Sequence, residues 1–251
     1  MQKKFCMKLV LFDIDGTLIC HTDKIKQAGF PRFMYAVKQA YGIDITFTTG
    51  YNGWVDKQII RSVVPEHLFS KIEFDKQWPK AKDALYSYAK HQESDGTKLY
   101  GSVEDAVNLA RVLHNDSRYT LGVLTGNIEK MAHWKLHHAG VPNFFPFGVY
   151  SDAFDDRISL TKSIFEKVKK EFNINIQGDD ITIIGDSIYD VRCGKAIGAK
   201  TIAVSTGILT GKGGIHGGKS DYKMSLEQEN PDLLVDSLMD TKVLDFFHLK
   251  P

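Results

Sequence analysis

Two carboxylates stand two residues apart in Phe12-Asp13-Ile14-Asp15-Gly16-Thr17-Leu18. At a strand end this spacing sends both toward one side of the chain. Two like charges that close cost on the order of several kcal/mol at low effective dielectric unless one is protonated or a cation sits between them. The pair asks for a metal ion, and Gly16 allows the sharp turn that would follow. A second pair occurs in Gly185-Asp186-Ser187-Ile188-Tyr189-Asp190, and oxygen ligands of this kind suit Mg²⁺. Either pair alone is also what an acidic turn with N-capping carboxylates looks like. A third stretch, Val123-Leu124-Thr125-Gly126-Asn127, leads into a helical pattern. Its hydroxyl, its side-chain amide and the backbone N–H groups of a helix N-terminus make an anion site for a phosphoryl group. Asn127 can cap its helix at the same time.

Each stretch follows an apolar run of strand length. Such runs recur at 8–12, 120–124, 147–150, 181–184, 201–204 and 233–235, nearly all without polar alternation, as in strands covered on both faces. Helical patterns lie between them at 103–114, 128–139, 158–172 and 188–197. Alternation of this kind predicts an α/β fold, a doubly wound parallel sheet between helices, with the candidate residues at the carboxyl ends of the strands. Ser102 with Asp105 three residues on predicts a capping box, and Gly140 a C-cap. The segment 21–100 breaks the rhythm, with helical patterns at 32–41, 55–64 and 79–90 and no buried strand. It reads as an all-helical insert with aromatic residues enough for a small core, either a lid or a second structural domain. The division expected is therefore a core of 1–20 and 101–251 and an insert of 21–100.

Among 251 residues the formal net charge is +1, and no basic block is dense enough to mark a nucleic-acid or membrane partner. The run 162–170, KSIFEKVKK, reads as the wet face of a helix. Three cysteines without metal-ligand spacing fit unpaired thiols in a reducing compartment, and no run of about 18 apolar residues occurs. A cytoplasmic protein acting on a small molecule is the expectation.

In order and placement, the motifs at 13–18, 125–127 and 185–190, with Ala196-Ile197-Gly198-Ala199 and Ala203-Val204-Ser205-Thr206-Gly207, resemble the haloacid dehalogenase superfamily of phosphohydrolases. In detail the chain is similar to the phosphoglycolate-phosphatase-like group, whose helical cap is inserted where this chain has its insert. The resemblance implies a Rossmann-like core and a phosphatase in which Asp13 attacks phosphorus and Asp15 protonates the leaving oxygen, then activates water. It implies Mg²⁺ held by Asp13, the Asp15 main-chain oxygen and Asp186, with Asp190 as a further ligand or as the group that orients the others. Thr125, Gly126 and Asn127 would bind phosphate. The cation of the third motif departs from the common Lys-Pro form. Arg157 and Lys162 are the candidates, and Arg157 is preferred because an Asp-Arg pair before that helix resembles related sequences and a planar fork suits phosphate.

Within the same superfamily, a dehalogenase would lack Asp15, whereas a phosphomutase would keep both aspartates. A non-catalytic phospho-ligand-binding protein would be expected to lose one of Asp13, Asp15, Thr125 or Asp186. The stretch 213–220 matches the G-x-x-x-x-G-K-S pattern of a nucleotide loop, but 206–212 separates it from the preceding strand and 221–231 shows no clear apolar face, so a surface loop is the better reading. In the insert, the loop 49–54 and Arg61 are where a lid would read substrate, and Trp54 is equally suited to packing in the insert's own core.

Overall fold

A computed structural model of the protein describes residues 7–22, 29–46, 51, 53–94, 96, 98–205 and 219–249. Six parallel strands form one sheet in the order β5-β4-β1-β6-β7-β8, with β1 (Lys8–Phe12) near the middle between β4 (Tyr119–Leu124) and β6 (Ile181–Gly185). Outward from these lie β5 (Phe147–Val149) on one side, and β7 (Lys200–Val204) and β8 (Leu233–Val235) on the other. The unalternating hydrophobicity of β1 has the expected cause. Val10 and Phe12 enter one apolar cluster and Leu9 and Leu11 the other, so both faces are covered. The first face is covered by α4 (Glu104–His114) and α5 (Glu129–Ala139), the second by α6 (Arg157–Lys162) and α7 (Ile164–Phe172).

The sheet order makes β1 the point where the winding changes direction, and open sheets of this type bind ligands in the crevice beyond such strand ends. Register then places the motifs. Phe12 is level with Val123 and with Ile184, so the residues that follow, Asp13, Thr125 and Asp186, emerge side by side.

Some boundaries differ from the sequence expectation. The single helical pattern at 158–172 is broken at Ser163, whose hydroxyl bonds back to the Leu160 carbonyl at 2.6 Å and competes with the helix ladder. The capping box at Ser102 does not form. Ser102 is held in β3 (Tyr100–Ser102), antiparallel to β2 (Ile19–His21), Val103 is the N-cap, and Asp105 instead accepts the Ser237 hydroxyl. Gly140 does cap α5, with φ of 76°. Most of the stretch 221–231, read as lacking a clear apolar face, lies in α9 (Lys219–Gln228), anchored by the fully buried Leu226 against Val191 and Ala203. Val191 belongs to α8 (Ile188–Ala196), and α10 (Thr241–Phe246) ends the fold. Of the nucleotide-loop pattern at 213–220, residues 213–218 lie outside the described residues and the last two begin α9.

Between β2 and β3 the described residues form helices alone: α1 (Gly29–Tyr41), α2 (Asp56–Val63) and α3 (Lys71–Ser94). Their apolar side chains, among them Phe33, Val37, Ile60, Phe74 and Leu85, join the cluster that continues to Val10 and Phe12 rather than closing a core of their own. The insert is also tied down by polar contacts. Trp78 Nε1 donates to the Asp152 carbonyl at 2.8 Å, and Lys57 pairs with Asp155 at 2.6 Å.

Candidate active site

Asp13 follows β1 and its N–H donates to the Ile184 carbonyl at 2.8 Å, which fixes its carboxylate, 7% exposed, beside β6. Asp13, Asp186 and Asp190 each bring a carboxylate oxygen within 4.8 Å of the others. Gly16 makes this possible. Its φ is +94°, and a Cβ there would lie 2.1 Å from Asp186 Oδ2, so only glycine lets the turn approach this carboxylate. Thr17 Oγ1 donates to Asp186 Oδ1 at 3.3 Å, and the Tyr222 hydroxyl of α9 donates to the Asp186 carbonyl. Asp190 is positioned by the start of its own helix, where Ser187 and Asp190 form a reciprocal capping box.

Arg157 enters this group from α6. Its Nη2 donates to Asp13 Oδ1 at 3.0 Å, to Asp190 Oδ1 at 2.5 Å and to the Leu124 carbonyl at 3.3 Å. Burial disfavours the guanidinium charge, but Asp190 and Asp13 together more than offset this and raise Arg157 above its ordinary pKa. Its Nε is buried without an acceptor among the described residues. Lys162, the alternative cation, lies at the other end of the same short helix and is exposed. Three carboxylates against one guanidinium leave these four groups an excess of two negative charges. The all-oxygen donor set and that charge both fit a hard divalent cation.

Asp15 leaves the same strand end for different surroundings. Its Oδ2 accepts Asn127 Nδ2 at 2.6 Å, and both of its oxygens accept Lys135 Nζ, at 2.8 and 2.7 Å. Lys135 also donates to Asn127 Oδ1 at 2.6 Å. Thr125 Oγ1 accepts from the Asn127 backbone N–H at 3.2 Å and from Asn127 Nδ2 at 2.7 Å, so both lone pairs are filled and its own hydrogen can point to a ligand. Thr125, Gly126 and Asn127 thus meet Asp13 and Asp15 at one place. The amides beyond them do not offer the open anion site read from the sequence. The Ile128 N–H goes to Asp56 Oδ2 at 2.9 Å and the Glu129 N–H to Asp152 Oδ2 at 2.7 Å, carboxylates drawn to a helix N-terminus.

Lys135, Asp56 and Arg32 were not singled out from the sequence. Lys135 is 1% exposed, on the face of α5 that also buries Met131, Ala132 and Ala139. A lysine in an apolar stripe is the signal that could have found it. Burial and the nearby Arg32 lower its pKa to about 8, against the pull of Asp15 and Asp56. Asp56 is pushed up by burial, which Arg32 and Lys135 partly oppose. Of the loop 49–54, residues 49, 50 and 52 lie outside the described residues. Trp54 packs against the shared core, its Nε1 donating to the Tyr189 hydroxyl at 3.3 Å, and its carbonyl closes over Gly126, where a Cβ would come within 2.2 Å of it. Arg61 turns instead to Phe69 and Glu66. An open cleft of about 570 Å³ lies between α3 and α5 at Tyr86, Lys90 and His133, and takes in none of Asp13, Asp15, Arg157 or Lys135.

A model of the haloacid dehalogenase-like hydrolase family matches residues 10–204, the span from β1 to β7 that holds Asp13, Arg157 and Asp190. The chain belongs to this family. It is 27% identical to the pyrophosphatase PpaX of Halalkalibacterium halodurans over 96% of this chain and 97% of that one. It is 20% identical to the phosphoglycolate phosphatase of Nitrosococcus oceani, over 94% and 96%. A haloacid dehalogenase-like family hydrolase of known structure from Streptococcus pneumoniae shares the fold with a TM-score of 0.55 and 18% identity, covering 96% of this chain and 99% of the other. Among the described residues no helix of this hydrolase is long and apolar enough to cross a membrane.

Proposed function

We propose that this phosphatase hydrolyses a small phosphate monoester through a phosphoryl-enzyme on Asp13, with Mg²⁺ held by Asp13, Asp186, Asp190 and the Asp15 main-chain oxygen. One observation carries the reading. Two carboxylates from a single strand end are held apart, Asp13 against Arg157 and the acidic cluster, Asp15 against Lys135 and Asn127. Groups placed in such different surroundings suit a division between nucleophile and proton carrier. Family membership supports hydrolysis, and relatives named for pyrophosphate and phosphoglycolate support a small phosphate substrate. The free thiols Cys20 and Cys193 support a reducing, cytoplasmic setting.

Mg²⁺, when bound, neutralises the acidic cluster and the phosphoryl oxygens. Asp13 attacks phosphorus as the bond to the leaving oxygen breaks, and Asp15 delivers a proton to that oxygen. Asp15 then takes a proton from water, whose oxygen displaces Asp13 from phosphorus and releases inorganic phosphate. Lys135 and Asn127 hold the Asp15 carboxylate in place for both halves. Arg157 stays charged throughout, and its Nε, with the Thr125 hydroxyl, supplies donors for phosphoryl oxygens. Helices α1–α3 serve as a cap that shields the site. The test is hydrolysis of p-nitrophenyl phosphate with and without Mg²⁺ by the parent and by Asp13→Asn, with mass spectrometry of acid-quenched enzyme. Turnover needing both metal and Asp13, with a transient phosphoryl adduct on Asp13, is expected. Metal-independent turnover, or full activity in the variant, would sink the reading.

A further inference from the structure

The cap delivers one cation to this site whose hydrogen bonds are not spent. Arg32, in the first turn of α1, is largely buried, yet its Nε has no acceptor among the described residues. Its Cζ lies 4.6 Å from the Phe33 ring centroid, and its other polar contacts are loose. Nη1 reaches the Tyr100 hydroxyl at 3.4 Å, and Nη2 stands 3.9 Å from Asp56 Oδ1, beyond hydrogen-bond distance. Asp56 meanwhile spends its other oxygen on the Ile128 N–H. Neighbouring cations are committed: Lys135 to Asp15 and Asn127, Lys57 to Asp75 and Asp155, Arg61 to Glu66 and Phe69. Buried donors are nearly always paired, so a planar fork kept in this condition is suited to a ligand with matching acceptors.

The position of Arg32 says which part of a substrate it would meet. It is linked to Asp15 through Tyr100 and then Lys135, whose Nζ sits over the Tyr100 ring at 5.5 Å, and it stands beside Asp56, which holds the amide next to Asn127. Arg157, Asp186 and Asp190 gather instead around Asp13. Resting on the reading of Asp15 as the group that protonates the leaving oxygen, we propose that Arg32 binds an oxyanion carried by the leaving group. The natural substrate is then a small phosphate compound whose leaving group bears a carboxylate or a second phosphate.

Three substrates separate the sources of that anion: phosphoglycolate, pyrophosphate, and 2-hydroxyethyl phosphate, which matches the first in size and lacks its carboxylate. The parent, Arg32→Gln and Arg32→Lys are compared by kcat/KM with Mg²⁺ present, after thermal melts show that each is folded. A charge-assisted bond of this kind is worth about 10- to 100-fold in discrimination. The parent should prefer phosphoglycolate or pyrophosphate over 2-hydroxyethyl phosphate by that factor, and whichever is preferred identifies the anion. Arg32→Gln should lose far more on the preferred substrate than on 2-hydroxyethyl phosphate, with Arg32→Lys between. Equal losses on all three, or no preference in the parent, would overturn the assignment of Arg32 while leaving the phosphatase reading intact. Failure of the parent to hydrolyse any ester would overturn both.

Discussion

Lys135 tests the electrostatic reasoning most directly, because its replacement should move stability and activity in opposite directions. Burial and Arg32 lower its pKa from 10.5 to about 8. A shift of that size means that holding the ammonium charged at neutral pH costs the folded state about 3 kcal/mol. Lys135→Met keeps the length of the side chain and removes the charge. Asp15 loses two charge-assisted hydrogen bonds, but it is partly exposed and keeps the hydrogen bond from Asn127, which limits the offset. The variant should therefore be more stable than the parent by about 1–3 kcal/mol at pH 7. Its kcat should fall by about 100-fold, since Asp15 and Asn127 lose the ammonium that both accept. The pH dependence has a definite sign. Between about 8 and 10.5 the unfolded chain binds the Lys135 proton and the folded chain does not, so parent stability rises relative to the variant through that window and the gap closes. Below it the gap is constant. Urea unfolding in fixed Mg²⁺ from about pH 7 to about pH 10, with kcat on p-nitrophenyl phosphate, measures both. A variant less stable than the parent at pH 7 that keeps full activity would refute the argument.

Arg157 and Lys162 should behave very differently. Arg157→Ala leaves Asp13 and Asp190 buried without their shared partner and should cost about 3–5 kcal/mol in chemical denaturation, while Arg157→Lys should keep the fold and lose about 10-fold or more in kcat/KM. Lys162→Ala should change kcat/KM by less than about twofold, as befits an exposed side chain. Gly16→Ala drives a Cβ into the Asp186 carboxylate at a φ that L-residues rarely adopt, so Mg²⁺ affinity measured by calorimetry should fall even where the protein still folds. Tyr222→Phe removes the hydroxyl that holds the Asp186 carbonyl, and a several-fold rise in the Mg²⁺ concentration needed for half-maximal activity is expected.

The sheet was legible because its evidence is local. Unbroken apolar runs such as 181–184 cannot be covered on one face alone, and a strand end followed by Asp-x-Asp-Gly brings two carboxylates to one crevice, although the structure gives them different partners. Asp13, Asp15, Thr125, Asn127 and Asp186 were therefore recognisable from short stretches of chain, and parallel register then placed them side by side. What only the tertiary structure decided is how those charges are compensated. The choice of Arg157 over Lys162 depends on which end of a six-residue helix faces Asp13, a one-turn difference that helical periodicity does not resolve. Lys135 lies 120 residues from Asp15, and Arg32 and Asp56 reach the same place only because α2 is tied to the turn at Gly126 and Ile128 that precedes α5. In sequence Arg32 and Asp56 look like ordinary helix charges. Coulomb energy depends on separation and burial, and neither is set until the chain has packed.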